Sequence, residues 1–379
     1  MKKVGIITMH RIKNYGSVLQ AYALKKVIES LGCEVCFVDF HQSKEIPEEK
    51  KMTIKNCIKY LLAQLIHILR SNNKKLCYFA NAVCCQHLND IRFRDFFRMI
   101  GVEEKRNYNP PLDVLVIGSD EVFNIKQNCA AGYSLELLGE NNNAKKCISF
   151  AASFGYTSYQ DISASQIKYK IKKLFCDFVA YSVRDKNSLS IIKKITGVIP
   201  SYHLDPVFHY DFAKELPDIK HRNKYIVVYA YSNLEPQIRN LIKNFANKKK
   251  LDILCFSGFQ GELGIFLDVD PFKMLSYIKN AEYVITSTFH GCVFSIKYKK
   301  QFASIVREYD KNAYSNEFKV TDLLSRFNLE ERIFTGDSYS LERILEKDLD
   351  SEKIDAYIKN TTEDGINYLK KFIWDGYEE

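Results

Sequence analysis

The chain has 379 residues, of which 46% are hydrophobic and 13% aromatic, and its formal net charge is +9. This composition excludes a disordered protein, and the length favours two globular domains over one. The basic charge is compatible with a solvated surface, an anionic substrate or an anionic membrane, whereas no repeat of aromatic and basic residues indicates a nucleic-acid module.

A strand–helix–strand unit opens the chain. The apolar run at residues 2–9 predicts a buried strand, residues 17–32 predict a helix, and residues 33–40 predict a second strand. Residues 41–110 are rich in lysine and arginine and place apolar residues at helical spacing, which predicts a helical insertion. Two interpretations stay open for it: an ordinary amphipathic pair with basic outer faces, or a cover for a binding cleft that also contacts membrane.

The loop before the first helix carries Asn14, Gly16 and Ser17. It contains no GxGxxG, so the dinucleotide-binding fingerprint is absent. Either the free amides of Gly16 and Ser17 hold an anion or a sugar hydroxyl at the helix N-terminus, or the loop only caps the helix. The sequence leaves both alternatives open.

A second polar loop follows the buried strand predicted at residues 113–117, where Gly118, Ser119 and Asp120 come next. Ligands of open α/β sheets lie at such carboxyl ends of strands. Ser119 and Asp120 are therefore candidate site residues. Asp120 suits a sugar hydroxyl or a general base, and its alternative role is to cap the next helix.

A third strand end carries Arg184 and Asp185, just before a predicted helix. A guanidinium in this position suits a carboxylate or phosphate ligand. The alternative is a surface ion pair between Arg184 and Asp185.

The second half of the chain repeats the βα pattern. Proline and polar residues at 204–207 predict the hinge between an N-terminal domain at residues 1–200 and a C-terminal domain at 201–340, and residues 341–379 predict C-terminal helices. The predicted elements of the second domain are a strand at 224–232, a helix at 236–250, a strand at 251–258 and a helix from Pro271.

The most suggestive stretch is TSTFHG, which lies between a buried strand predicted at 281–285 and a helix predicted at 292–300. A strand that ends in hydroxyls, a histidine and a glycine presents polar groups to a crevice, and helix N-termini attract anions. His290 is the leading catalytic candidate, and its alternative is a buried histidine bonded to a backbone carbonyl. The candidate binding residues beside it are Ser287, Thr288 and Gly291.

Eleven cysteines, an odd number, are spread over the chain, and several lie in apolar runs. This favours reduced thiols in a cytosolic protein. The CxxC at Cys33 and Cys36 lies in a predicted strand, and no second CxxC completes a zinc site. The apolar runs are too short for a signal peptide or a membrane span. We expect a cytoplasmic protein, with peripheral association at the inner face of the cell membrane as an alternative.

Six motifs follow one another along the chain: Asn14-Tyr15-Gly16-Ser17, residues 116–120, residues 150–155, Val183-Arg184-Asp185, Leu204-Asp205-Pro206 and residues 287–291. In this order they resemble those of the polysaccharide pyruvyl transferase family, and the resemblance covers about residues 4–335. It implies an α/β fold of the glycosyltransferase-B-like type, in which two Rossmann-like domains face a cleft. The first domain, with its helical insertion, would be the acceptor side and the second the donor side.

The resemblance also implies a reaction. Phosphoenolpyruvate would be the donor. The acceptor would be a sugar of a surface polysaccharide, such as a capsule or exopolysaccharide, or of its lipid-linked precursor. The reaction would form a cyclic pyruvate ketal and release phosphate. The family's active histidine falls on His290, its donor-binding arginine on Arg184 and a further basic residue on Lys311. Many members carry a basic or aliphatic residue where this chain has Phe289, so that side chain offers no anion contact.

The residue types suit this chemistry. The carboxylate and phosphate of the donor need fixed positive charge, which Arg184 and Lys311 would supply. The enol carbon must be protonated before a sugar hydroxyl attacks C2, and histidine is an acid that works near neutral pH. We expect His290 as acid, base or phosphate ligand, and Asp120 at the acceptor hydroxyl. No cofactor or metal is expected, since phosphoenolpyruvate is a co-substrate and no cluster has metal-ligand spacing.

Two other functions stay open. A nucleotide-sugar-dependent glycosyltransferase of the same fold would need an acidic residue for the ribose, for which Glu308 and Asp310 are candidates. A saccharide-binding protein without catalytic activity is the third hypothesis.

Overall fold

The computed structural model describes residues 1–41, 92–127, 133–306, 317–334, 336 and 338–374. This part of the chain forms two parallel β-sheets flanked by helices, one from the first half of the chain and one from the second. Of the predicted helical insertion, residues 42–91 lie outside the described residues, and residues 92–99 form a helix.

The first sheet consists of β1 (Lys3–Ile7), β2 (Glu34–Phe37), β3 (Pro111–Ile117), β4 (Asn143–Ser149) and β5 (Phe178–Ala180). Its order is β2-β1-β3-β4-β5, and these neighbours all pair in parallel. Four consecutive residues of β3, 114–117, are buried. Such continuous apolar runs are typical of parallel strands that are covered on both faces.

The second sheet consists of β8 (Tyr225–Ala230), β9 (Asp252–Ser257), β10 (Ile265–Phe266), β11 (Tyr283–Thr286), β12 (Gln301–Ile305) and β13 (Ile333–Phe334). Its order is β10-β9-β8-β11-β12-β13, also with parallel neighbours. A small separate sheet pairs β6 (Ser182–Val183) with β7 (Ser201–Tyr202).

Helices connect these strands. The first, α1 (Tyr15–Ser30), packs its apolar face between the two halves of the molecule. Two short 3₁₀ helices occupy Leu135–Leu138 and Glu330–Arg332. The other helices are α2 (residues 92–99), α3 (Tyr159–Ala164), α4 (Lys168–Cys176), α5 (Lys186–Thr196), α6 (Pro206–His209), α7 (Pro236–Lys249), α8 (Pro271–Asn280), α9 (Phe289–Lys297), α10 (Glu317–Arg326), α11 (Ser338–Glu346) and α12 (Ser351–Trp374).

The chain crosses from the first half to the second between β7 and β8, through the predicted hinge. It crosses back near its C-terminus, because α12 returns to the first half. Tyr368 Oη donates to Ser149 O at 3.0 Å, and Trp374 Nε1 donates to Leu31 O at 3.1 Å. The two halves are therefore held together by α12 as well as by the crossing segment.

The strand orders place the ligand crevice. In each sheet the order reverses beside the strand that comes first in the chain, between β1 and β3 in one and between β8 and β11 in the other. Open α/β sheets bind ligands outside the carboxyl ends of strands at such switch points. Asp120 follows β3, and His290 follows β11, so two of the candidate residues lie at the two switch points.

Candidate active site

Hydroxyl groups build the turn that presents His290. Thr286, the last residue of β11, donates through Oγ1 to Tyr229 O at 2.8 Å and accepts the Thr288 amide at 3.1 Å. Thr288 then caps α9, because its Oγ1 accepts the amide of Gly291 at 2.9 Å. His290 is therefore the second residue of α9, where the side chain is held by a short, fully bonded turn.

Two glycines leave room around this turn. A Cβ on Gly291 would lie 2.0 Å from Thr286 Oγ1, so the turn requires glycine there. A Cβ on Gly16, at the start of α1, would lie 2.1 Å from Nδ1 and 2.2 Å from Cγ of His290. The imidazole of the second half thus packs directly on the backbone of the first half.

His290 and Arg184 meet at Asp205, a buried carboxylate in the crossing segment. Arg184 Nη1 donates to Asp205 Oδ2 at 2.7 Å, and His290 Nε2 lies 3.5 Å from the same oxygen. His290 is 4% exposed, and its buried Nε2 makes no hydrogen bond among the described residues. Burial tends to raise the pKa of Asp205, but His290 and Arg184 outweigh it and lower that pKa to about 2. Asp205 is therefore ionised at neutral pH.

Arg184 also reaches the first switch point. Its Nη2 lies 3.3 Å from Asp120 Oδ1, and its Nη1 donates to Ser119 Oγ at 3.3 Å. The guanidinium carbon lies 4.4 Å from the centre of the Phe289 ring. The guanidinium is thus buried among these groups and does not form a surface pair with Asp185, whose carboxylate instead caps α5.

Asp120 has a left-handed backbone conformation, with φ of 72°. Its Oδ2 accepts Ser17 Oγ at 2.6 Å, and its Oδ1 accepts the Glu121 amide at 2.9 Å. Burial tends to raise the pKa of Asp120, but Arg184 and other neighbouring groups outweigh it and hold that pKa below its usual value. Its side chain keeps 14% exposure, so this charged carboxylate is open to the crevice.

The loop at the start of α1 is used for capping. Asn14 Oδ1 accepts the amides of Gly16 at 2.9 Å and Ser17 at 3.3 Å. The expectation that these two amides are free for a ligand is therefore wrong, because the cap of α1 occupies them. Asn14 Nδ2 donates to Tyr231 Oη at 3.0 Å, which joins this loop to the second half of the molecule.

A second buried cation completes the cluster. Lys319, on α10, pairs with Glu121, and its Nζ lies 6.0 Å from the centre of the Phe289 ring. Phe289 therefore packs against two cations, Arg184 and Lys319, and contributes no charge itself. Lys311, the predicted second basic residue, lies outside the described residues.

The described cluster carries no surplus of positive charge. Two cations, Arg184 and Lys319, face three carboxylates, those of Asp120, Glu121 and Asp205. Charges buried in this way are held by pairing. The arrangement can hold three groups in fixed positions: the imidazole of His290, the ionised carboxylate of Asp205 beside its Nε2, and the carboxylate of Asp120 at the crevice.

A comparison with protein families identifies the group. Residues 14–309 match the family model described as "Polysaccharide pyruvyl transferase". The chain belongs to the polysaccharide pyruvyl transferase family. The match contains all the site residues described above from Asn14 to Gly291, while Lys319 lies beyond its end.

Solved structures show the fold of this polysaccharide pyruvyl transferase family member. It superimposes on S. aureus MnaA in a co-structure with UDP with a TM-score of 0.51, at 10% identity, over 98% of this chain and 97% of that one. A putative UDP-N-acetylglucosamine 2-epimerase from Listeria monocytogenes gives a TM-score of 0.49 at 8% identity, over 97% and 94% of the two chains. The expected glycosyltransferase-B-like fold with two Rossmann-like domains is confirmed. No curated protein matches the sequence.

The described residues of this family member form neither a membrane-spanning helix nor a metal-binding cluster. None of their helices is long and apolar enough to cross a membrane. Among the same residues, no group of three or more His, Cys, Asp or Glu side chains is placed to hold a metal ion.

Three residues of the site were missed from the sequence of this family member. Asp205 is part of a recognised motif but was interpreted as hinge, and Tyr231 was one of many aromatic residues. Lys319 did carry a signal, because it precedes Leu323 by four residues and so continues the buried stripe of α10. A lysine in such a stripe indicates a buried charge that needs a partner.

Proposed function

We propose that the protein transfers the pyruvyl group of phosphoenolpyruvate to two hydroxyls of a sugar in a surface polysaccharide or its lipid-linked precursor. The product is a cyclic pyruvate ketal, and phosphate is released. The observation that carries the proposal is the meeting of His290 and Arg184 at Asp205, beside Asp120, in a member of the pyruvyl transferase family.

His290 acts as the general acid and base. Asp205 faces Nε2 and, being ionised, stabilises the imidazolium and fixes the ring, which leaves Nδ1 to exchange a proton with the substrate. The proton goes to the methylene carbon of phosphoenolpyruvate, which becomes a methyl group as a sugar hydroxyl adds to C2. The second hydroxyl then forms its bond to C2 while the bond from C2 to the phosphate oxygen breaks. One hydroxyl proton ends on the methyl group and the other on phosphate.

Asp120 receives the acceptor on the side of the first domain. Its ionised carboxylate is open to the crevice and is aimed by Ser17 and Arg184. A carboxylate in this state accepts a hydrogen bond from a sugar hydroxyl and can take its proton during attack. Arg184 holds Asp120 and Asp205 apart at a fixed separation, in addition to its expected contact with the donor.

The donor needs positive charge beyond the described cluster, since the three carboxylates of the cluster outnumber its two cations. We assign this charge to Lys311, in the segment 307–316 that follows β12, with a contribution from the positive end of α9. Replacing Lys311 by alanine should raise the KM for phosphoenolpyruvate more than the KM for the acceptor.

The test is phosphate release in the presence of phosphoenolpyruvate and a panel of aryl glycosides and lipid-linked glycosides. We expect release that depends on the glycoside, with a product whose mass and NMR spectrum show a pyruvate ketal. His290→Ala should abolish release and keep the circular dichroism spectrum of the wild type, while His221→Ala, a histidine paired with Asp252 outside the site, should stay active. Absence of release with every glycoside would refute the proposal.

The same assay tests the nucleotide-sugar alternative. That function depends on Glu308 and Asp310, which lie outside the described residues. UDP-sugars replace phosphoenolpyruvate in one arm of the assay. Transfer of sugar in that arm, with no phosphate release from phosphoenolpyruvate, would favour the alternative. Adding phospholipid vesicles to the lipid-linked arm tests whether the protein works at a membrane face.

A further inference from the structure

Tyr231 lies at the mouth of the crevice, directly after β8 and therefore at the second switch point. The hydroxyl and the ring of its side chain have different surroundings. The hydroxyl is fixed by Asn14 at 3.0 Å, whereas the residue as a whole is 45% exposed. A tyrosine with a bonded hydroxyl and an open ring offers an aromatic surface at low cost in conformational entropy.

Hydrogen bonds to a buried glutamine hold the loop that carries this ring. Gln260 is 1% exposed and ties the loop together, since its Nε2 donates to Ser232 O at 2.9 Å and its Oε1 accepts the Leu234 amide at 2.8 Å. The Tyr231 ring also packs edge-on against the buried Tyr229, with 5.9 Å between ring centres. The ring is thus held in one place.

The partner of Tyr231 leads straight to the catalytic groups. Asn14 caps the turn that contains Gly16, on which His290 packs, and Ser17, which bonds Asp120 at 2.6 Å. The exposed ring is therefore a near neighbour of both the proposed acid and the proposed acceptor carboxylate. Phosphoenolpyruvate is small and has no ring, so an aromatic surface here suits the other substrate.

We propose that the exposed face of Tyr231 stacks on the apolar face of the acceptor sugar ring and so selects and positions the acceptor. This inference rests on the proposed function. Asp120 then bonds a hydroxyl at the edge of the ring whose face Tyr231 covers. Stacking on one face of the sugar together with a hydrogen bond to one of its hydroxyls discriminates between pyranoses that differ in the side on which their hydroxyls project.

The test compares Tyr231→Phe, which keeps the ring and removes the bond to Asn14, with Tyr231→Leu, which removes the ring. The probe is the methyl glycoside of the sugar that the wild-type protein pyruvylates, so that no aryl group stacks in its place. Tyr231→Leu should raise the KM for this glycoside about tenfold and leave the KM for phosphoenolpyruvate unchanged, whereas Tyr231→Phe should raise the KM for the glycoside by a much smaller factor. Equal effects of both variants would show that Tyr231 is only a link between the domains and would overturn the inference.

A binding measurement separates this inference from the proposed function. Saturation-transfer NMR with a panel of methyl glycosides requires no turnover. Binding that is weakened by Tyr231→Leu in a protein that releases no phosphate would support the stacking role and refute pyruvyl transfer. Two results would overturn the stacking role whatever the activity. In one, glycosides bind equally well to the wild type and to Tyr231→Leu. In the other, Tyr231→Leu weakens the binding of UDP and leaves glycoside binding intact.

Discussion

Gly16→Ala gives the sharpest test of the site, because a single methyl group would strike the imidazole of His290. The added Cβ would lie 2.1 Å from Nδ1, 2.2 Å from Cγ and 2.6 Å from Cβ of His290. Unbonded heavy atoms prefer separations of about 3.5–4.0 Å. The ring or the start of α1 must therefore move by more than about 1 Å. The ring belongs to the second half of the molecule and α1 to the first.

The expected loss is in kcat. A displacement of about 1 Å at a catalytic group costs about 10²-fold in rate. Gly16 is helical and its φ is not positive, so alanine itself should favour α1 by about 0.5–1 kcal/mol. We expect Gly16→Ala to lower kcat about 10²-fold. The clash lowers the free energy of unfolding and the gain in helix propensity raises it, so the net change in stability is the difference between these two effects.

The matched control is the same substitution in a His290→Gly background, where the ring and the Cβ that the added methyl group would strike are both gone. There Gly16→Ala should stabilise the protein by the helix term alone, about 0.5–1 kcal/mol in urea denaturation. In the wild-type background it should be destabilising or neutral. Phosphate release gives kcat. Wild-type kcat for Gly16→Ala, or the same change in stability in both backgrounds, would refute the contact between Gly16 and His290.

Three further predictions concern buried charges. Lys319→Met leaves Glu121 buried and unpaired, so urea denaturation should show a loss of about 3–5 kcal/mol, most of which Glu121→Gln should restore in the double variant. Burial lowers the pKa of His209 to about 4, so as pH falls the unfolded chain binds a proton at this histidine before the folded protein does. The free energy of unfolding should therefore be complete above about pH 6.5 and fall by up to about 3 kcal/mol towards pH 4. In His209→Gln this fall with pH should be smaller. Asp205→Asn should lower kcat by about 10²-fold or more in the phosphate assay, with little change in the KM for phosphoenolpyruvate.

The strands could be predicted because parallel strands leave a simple signal. Mainly apolar runs at residues 113–117 and 251–258 lie within two residues of β3 and β9. Residues 114–117 and 253–256 are consecutive apolar residues because helices cover both faces of each sheet, and the polar loops that follow mark the carboxyl ends of the strands. The start of α9 was predicted three residues late, at 292. The helix begins at Phe289, because the Thr288 hydroxyl accepts the Gly291 amide and fixes Thr288 as the cap.

The pairing of side chains could not be predicted in the same way. The motifs brought out His290, Arg184 and Asp120, and the structure places these three around one crevice. Their shared partner, Asp205, is separated from Arg184 by 21 residues and from His290 by 85. Such a partnership arises only from the tertiary fold, which brings the crossing segment between the two sheets. The sequence motifs identify Arg184 and His290 as candidates, but they do not show that both side chains face the same oxygen, Oδ2 of Asp205.

Asp205 shows why the crossing segment and the site are one structure. Its Oδ1 accepts the Val207 amide at 3.1 Å and so starts α6 at the crossing, while its Oδ2 binds Arg184 and faces His290. Because its folded pKa is about 2, below the usual value, the stability it contributes is present above about pH 4 and is lost as pH falls towards 2. Asp205 therefore keeps its charge wherever the enzyme is tested near neutral pH. Any acid limb of the rate profile in that range must therefore come from a group other than Asp205.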